Sequence, residues 1–318
     1  MYKLNMYKPK LLILLVLTCF SCSSLCAKEI VFAFDKTLAH TTSLDGMARS
    51  QMLVRNLAKV DVKQSMFLIR TKDVTPKTID RLSFYDQTGQ LIVNAGAKYS
   101  LYSISNPFAY AVDILKADTE LAQYANYRRH IYFPYLYEGG DVEALSNLQE
   151  FLSDHLYQPT YVTYKANDDY LDLLYQARVA TNKPVNIREL EKVYVELLIQ
   201  DILAYDAKAN LLLGYSPRQV ILLHENDLAA YFIIGLVDAL NARGFKVISP
   251  EKVFSDPVAN PFFVSGYSAT GYMKSLTGFS EARSEKLYIL SSAQQQKIHA
   301  LLTAHGLADL IPATESQL

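Results

Sequence analysis

The sequence predicts an α/β fold built on a parallel sheet. Short runs rich in β-branched and aromatic residues alternate with longer stretches whose apolar residues recur at helical spacing. Half of the 318 residues are hydrophobic, enough to bury one large core. An α/β barrel commonly fills roughly 200–250 residues as a single domain, so one main domain accommodates the whole alternation.

In chain order, residues 1–27 read as a targeting segment. Lys3, Lys8 and Lys10 precede an apolar run from Leu11 to Leu17, and small residues lead to Ala27, a cleavage point before Lys28. The run is shorter than the roughly 20 residues a membrane span needs. The expected product is an exported protein, periplasmic or secreted, with no transmembrane segment after cleavage. Cys19, Cys22 and Cys26 all precede that point, so the mature chain carries no thiol; a lipid-anchored Cys22 is the minor alternative. Candidate strands follow at 30–34, 66–69, 91–93, 131–133, 161–164, 220–223 and 246–248, with helical patterns at 47–59, 109–124, 142–155, 187–205 and 228–242. Two consecutive helical patterns between Leu171 and Ala209, with no strand between them, read as an insertion before the sixth strand. Beyond Pro257 a Tyr-, Ser- and Gly-rich stretch leads to a polar helix at 294–305, an appendage on the main body. The balance of 31 basic to 32 acidic residues, with no basic stripe, argues against nucleic acid as a partner.

Five segments carry a more specific message. The first strand ends in Phe34-Asp35-Lys36. The third continues as Asn94-Ala95-Gly96-Ala97-Lys98-Tyr99. Ile131-Tyr132-Phe133-Pro134-Tyr135-Leu136-Tyr137-Glu138-Gly139 follows, then Val162-Thr163-Tyr164-Lys165-Ala166-Asn167-Asp168, and finally Leu222-Leu223-His224. In this order and spacing, from about Lys28 to about Pro257, they resemble the polysaccharide deacetylases, the NodB-homology carbohydrate esterases. The resemblance implies a distorted (β/α)7 barrel spanning 28–257, with a helical insertion and a C-terminal appendage at 258–318. It also implies hydrolysis of acetyl groups on a polysaccharide: a zinc or other divalent ion polarises the acyl carbonyl, an Asp activates water and a His protonates the leaving group.

Transferred residue by residue, the resemblance makes Asp35 the base, His224 the acid and Asp168 an acidic partner. Tyr132, Pro134 and Tyr135 become the substrate-binding wall. The three metal-ligand positions hold Lys36, Ala95 and Tyr99. A methyl group cannot bind a cation, and a phenol with an ordinary pKa near ~10 is a poor substitute for imidazole. No metal cofactor is therefore expected, and the reading is an exported, deacetylase-like protein that has lost its metal-dependent activity and binds a cell-envelope or extracellular glycan, or another partner. An ammonium at Lys36 beside Asp35 would supply the missing positive charge. Two alternatives stay open: an active hydrolase with a rebuilt site using Asp35, His40, His224 and Asp168, and a structural envelope protein. Each strand-end residue also has a plain reading, Asp35 as a helix cap and His224 as a hydrogen-bonded core histidine. Tyr99, Tyr132, Tyr135, Tyr137 and Tyr170 suit a sugar-stacking groove, but a chain with 23 tyrosines offers such groupings by chance. Ser249-Pro250-Glu251-Lys252 matches a Ser-x-x-Lys pattern and fits a helix start better.

Overall fold

The structure is a computed structural model, described here over residues 28–38, 43–98, 107–132, 142–256 and 290–312. The strands are β1 (Lys28–Asp35), β2 (Met66–Ile69), β3 (Leu91–Asn94), β4 (Tyr127–Ile131), β5 (Gln158–Pro159), β6 (Tyr164–Lys165), β7 (Gln219–His224) and β8 (Phe245–Val247). Every pairing is parallel, in the order β5-β4-β3-β2-β1-β7-β6, and β8 pairs with the first residues of β1.

The edge strands β5 and β6 are consecutive in sequence, separated only by residues 160–163. Five residue steps reach at most about 18 Å, whereas six strand spacings in a flat sheet would set the edges about 29 Å apart. The sheet must curl until its edges nearly meet. Seven strands then form the expected (β/α)7 half-barrel, its gap spanned by chain rather than by ladder hydrogen bonds.

The buried side chains bear this out in two layers. Ile30, Phe32 and Phe34 of β1 face the helices, whereas Val31 and Ala33 join Leu68, Val93, Tyr132, Tyr161 and Leu222 in a cluster inside the curl. Buried on both faces, β1 and β7 read as continuous apolar runs, as parallel strands do. Outside lie α1 (Gly46–Lys59), α2 (Ile79–Gln87), α3 (Pro107–Leu121), α4 (Val142–Asp154), α5 (Asp168–Ala180), α6 (Ile187–Leu213) and α7 (Asp227–Asn241). Helix α1 starts because the Asp45 carboxylate accepts from the N–H groups of Met47 and Ala48, and it buries Leu53, Val54 and Leu57. Asn226 caps α7 through the N–H of Ala229. The insertion read between Leu171 and Ala209 is α5 followed by α6, which ends at Gly214 with φ 76°.

Three local expectations shift. The fourth strand lies earlier than 131–133, at Tyr127–Ile131, because Arg129 is neutralised by Asp118 at 3.1 Å and Arg128 caps nearby carbonyls, so the polar run joins the ladder. Of the expected strand 161–164 only Tyr164 lies in a strand, the start of β6; residues 161–163 belong to the connection between β5 and β6. Helix α2 was not legible as a periodic segment. Beyond the main body, α8 (Ser292–Ala304) opens with a reciprocal Ser291–Gln294 capping box, and Ile298, Leu302, Leu307 and Leu310 join the core under the helices. Ser249 precedes a short 3-10 turn, Pro250–Ser255, so the Ser-x-x-Lys pattern is a helix start.

Candidate functional site

Two of the predicted residues are register partners. Asp35 ends β1 and His224 ends β7, opposite one another in adjacent parallel strands. Side chains alternate along a strand, so Val31 and Ala33 on the inner face bring Asp35 to that face, and Val220 and Leu222 do the same for His224. Ala95, fully buried after β3, lies in the same inner cluster, as does Tyr132. Lys165 ends β6, with Leu222 as its register partner. These residues therefore share the C-terminal mouth of the half-barrel, where such sheets carry their chemistry. Tyr99, Pro134, Tyr135 and His40 lie outside the described residues.

His224 is 2 % exposed and is held from below. Its Nδ1 lies 2.7 Å from Asp168 Oδ1, while its backbone N–H donates to Asp168 Oδ2 at 3.1 Å. The Asn226 side-chain amide donates to the same carboxylate at 3.1 Å. Burial disfavours the imidazolium, but Asp168 and Asp169 outweigh it and raise the pKa above its ordinary value. The arrangement is a base with its orienting acid, and His224 Nε2 is left 3.6 Å from Asp169 Oδ2.

Asp35 is almost fully buried and accepts the backbone N–H of Lys36 at 2.7 Å. That contact depends on Lys36 adopting φ 54°, a left-handed conformation costing a non-glycine residue about 1–2 kcal/mol. Where the sequence suggests an ammonium on Asp35, the Lys36 ion pair is with Asp169 at 3.2 Å, because the turn at residue 36 swings the side chain toward α5. Burial raises the Asp169 pKa less than His224, Lys36 and Lys165 lower it, so its carboxylate is stabilised. Lys165 is partly buried, and the loss of water around its ammonium exceeds the help from Asp169 and Asp35, lowering its pKa. Asp168, Asp169 and His224 bring potential ligand atoms within 4.8 Å of one another.

The loop after β3 is fixed by its backbone. Asp113 of α3 accepts from the N–H groups of Ala97 and Lys98, and the carbonyls of Gly96 and Ala97 accept from Thr71 and Lys72. Gly96 has φ 81°, and a Cβ there would lie 2.7 Å from Asp113 Oδ2, so only glycine fits.

Behind the mouth is a buried ionic network that the motifs did not reveal. Glu225, next to His224, receives Arg81 Nη2 on both carboxylate oxygens at 2.6 and 2.8 Å, Ser50 Oγ at 2.8 Å and Arg49 Nε at 3.4 Å. Arg81 also donates to the carbonyl of Thr37, tying the turn after Asp35 to the end of β7. Asp227 holds Ser43 and Leu44, and Gln176 reaches toward both Asp227 and Asp172. Two acidic residues flanking the histidine motif, Glu225 and Asp227, were the available signal; nothing in the sequence joined them to Arg49 or Arg81.

No protein-family model matches the chain, and no curated protein does. Among solved structures it is similar to a family 4 acetyl xylan esterase from Clostridium thermocellum, at 15 % identity over 72 % of this chain and 91 % of that one, with a TM-score of 0.48. A CE4 family pseudoenzyme from Bacillus anthracis matches at 11 % or less in its variant and parent forms, the parent at 10 % over 72 % of this chain and 66 % of that one, TM-score 0.49. A family 4 carbohydrate esterase from Streptomyces lividans matches at 10 %, over 71 % and 93 %, TM-score 0.42. Likenesses this distant say nothing of the side chains at the mouth.

Proposed function

We propose that this chain is an exported protein that holds a cell-envelope or extracellular glycan at the mouth of a polysaccharide-deacetylase-type barrel, without metal-dependent deacetylation. The carrying observation is the charge balance there. Three carboxylates, Asp35, Asp168 and Asp169, stand with Lys36, Lys165 and His224, whose imidazolium form Asp168 and Asp169 favour against its burial. A divalent ion would have to displace the Lys36 ammonium from Asp169, while Asp168 is committed to His224 and Asn226. At the position after β3 where the resemblance requires imidazole stands the buried methyl of Ala95. These residues do not fit a zinc-type site.

Where the described residues of this mouth do not hold a divalent ion, hydrolysis lacks the Lewis acid that would polarise an acyl carbonyl; removing even one oxyanion donor costs roughly 10²–10³ in rate. What such a pocket retains is alternating carboxylates and ammonium groups able to hydrogen-bond hydroxyl and acetamido groups. Export rests on the leader read from residues 1–27, and among the described residues no helix is long and apolar enough to cross a membrane. The test is co-sedimentation of the mature chain with purified peptidoglycan and with insoluble chitin, followed by assay of free acetate. Retention that weakens in an Asp169→Ala, Lys36→Ala double variant, with no acetate released, is expected. Absence of retention on both polymers overturns the binding assignment.

One observation favours a second reading. The 2.7 Å contact of His224 Nδ1 with Asp168 is the arrangement of a working acid–base pair, and Asp35 lies beside it. Acetate release insensitive to chelators and abolished by His224→Gln would establish the rebuilt hydrolase instead.

A further inference from the structure

Helix α8 is fastened to the main body by more than its apolar face. Ile298 and Leu302, with Leu307 and Leu310 beyond the helix, are buried in the core, while polar side chains of the same segment reach α5 and α6. Lys297 Nζ lies 2.5 Å from Asp201 Oδ1, and the other Asp201 oxygen accepts from Tyr164 Oη at 2.7 Å. His299 Nε2 lies 2.9 Å from Tyr170 Oη. Tyr164 precedes Lys165 and Tyr170 follows Asp169, so both braces end beside the mouth. The last contact is of a different kind. His305, which closes α8, sets Nδ1 3.2 Å from Glu189 Oε2 and Nε2 3.1 Å from Glu196 Oε2, both on α6. An ionised carboxylate only accepts hydrogen bonds, so a ring held between two of them satisfies both only with an N–H on each nitrogen. That species is the imidazolium. Its place at the helix C-terminus, where the aligned peptide dipoles favour a cation, points the same way.

We propose that His305 is a pH-operated clasp: its imidazolium locks the C-terminal end of α8 onto α6, and loss of one ring proton as the pH rises lets that end open. A neutral ring keeps one N–H for one carboxylate and turns a lone pair toward the other. One half of the clasp is then repulsive. The hydrogen bonds to Glu196 and Glu189 raise the His305 pKa above its ordinary value, so the contribution is full below the unfolded value and is lost as pH rises through the folded one. The charged groups around the clasp come from three elements. On α6, Lys192 shares Glu189 at 2.7 Å, and Arg188 and Glu191 line a cleft with Lys192 and Glu196. On α5, Arg178 pairs with Asp309, and on α8 itself stand Lys297 and His299. The buried apolar anchors do not titrate, so the appendage stays docked and only its last turn is released. The inference does not depend on glycan binding at the mouth.

The experiment is hydrogen exchange of the whole mature chain at about pH 6 and about pH 8.5, on either side of the ordinary histidine range. Peptides covering residues 292–312 are read by mass spectrometry, with the intrinsic pH dependence of exchange divided out so that only opening of the segment remains. Protection at the end of α8 should fall about threefold at the higher pH, the order of effect that partly exposed ion pairs supply. His305→Gln should abolish the fall. If that variant does not fold by circular dichroism, a Glu189→Gln, Glu196→Gln double variant, which removes the partner charges instead, is read in its place and should abolish it too. His299→Gln, which leaves the clasp intact, should retain it. Equal protection at the two pH values in the parent, a fall that survives loss of the clasp, or one that vanishes in His299→Gln overturns the proposal.

Discussion

Replacing Asp172 by asparagine should remove a specific pH dependence from the fold. Asp172 lies on α5, 5 % exposed, and its carboxylate accepts the Leu228 N–H at 3.2 Å at the start of α7. Burial, reinforced by Asp227, pushes its pKa up from 3.8 to about 7. A carboxyl whose pKa is raised by folding binds its proton more tightly in the native state. Its contribution is therefore full below the unfolded value and is lost as pH rises toward about 7. The full window corresponds to about 4 kcal/mol, of which about 2 kcal/mol falls between about pH 5.5 and about pH 8. Asparagine keeps a carbonyl for Leu228 and does not titrate. Urea unfolding of parent and Asp172→Asn at those two pH values isolates the term, because His224 and every other group are common to both proteins. The parent should lose about 2 kcal/mol more than the variant on going to the higher pH. Equal losses would refute the assignment of a proton to this carboxyl.

Three further outcomes follow from the side chains around the mouth. Glu225→Ala strands Arg81 and Arg49 without their shared carboxylate and should cost about 3–5 kcal/mol in denaturant unfolding, part of which Arg81→Leu in the same chain recovers. Lys36→Ala should cost only about 0–1 kcal/mol, because the pair with Asp169 is 48 % and 36 % exposed and solvent screens it; a larger fall in the melting temperature would mean the site is drier than this structure shows. The His224 ring should titrate above 6.5 by NMR, and Asp168→Asn should bring it down; an unchanged midpoint would separate the two groups.

What the sequence made legible was what repeats or ends a strand. The apolar runs of β1 and β7 marked a buried parallel sheet, and Asp35 and His224 close those runs, so their meeting follows from register alone. Asp168 could be placed through the same motif, but its role as the anchor of His224 Nδ1 needed three dimensions. The partner of Lys36 was misread because a single backbone angle, φ 54°, redirects the side chain from Asp35 to Asp169, and no pattern of residue types announces such an angle. The Glu225–Arg81–Arg49 network was invisible for another reason. Its members are 144 and 176 residues apart and lie on α1, α2 and the end of β7, so only the folded chain makes buried charges affordable there.

Elemental analysis of the purified mature chain, after equilibration with zinc, cobalt and nickel at neutral pH and gel filtration, bears most directly on the central claim. The account predicts no stoichiometric ion in the parent, because Lys36 and His224 already balance the carboxylates at the mouth. In a Lys36→Asp, Ala95→His, Tyr99→His variant, which restores an Asp and two His at those positions, it predicts zinc uptake. One tightly held ion per chain in the unaltered protein would contradict it.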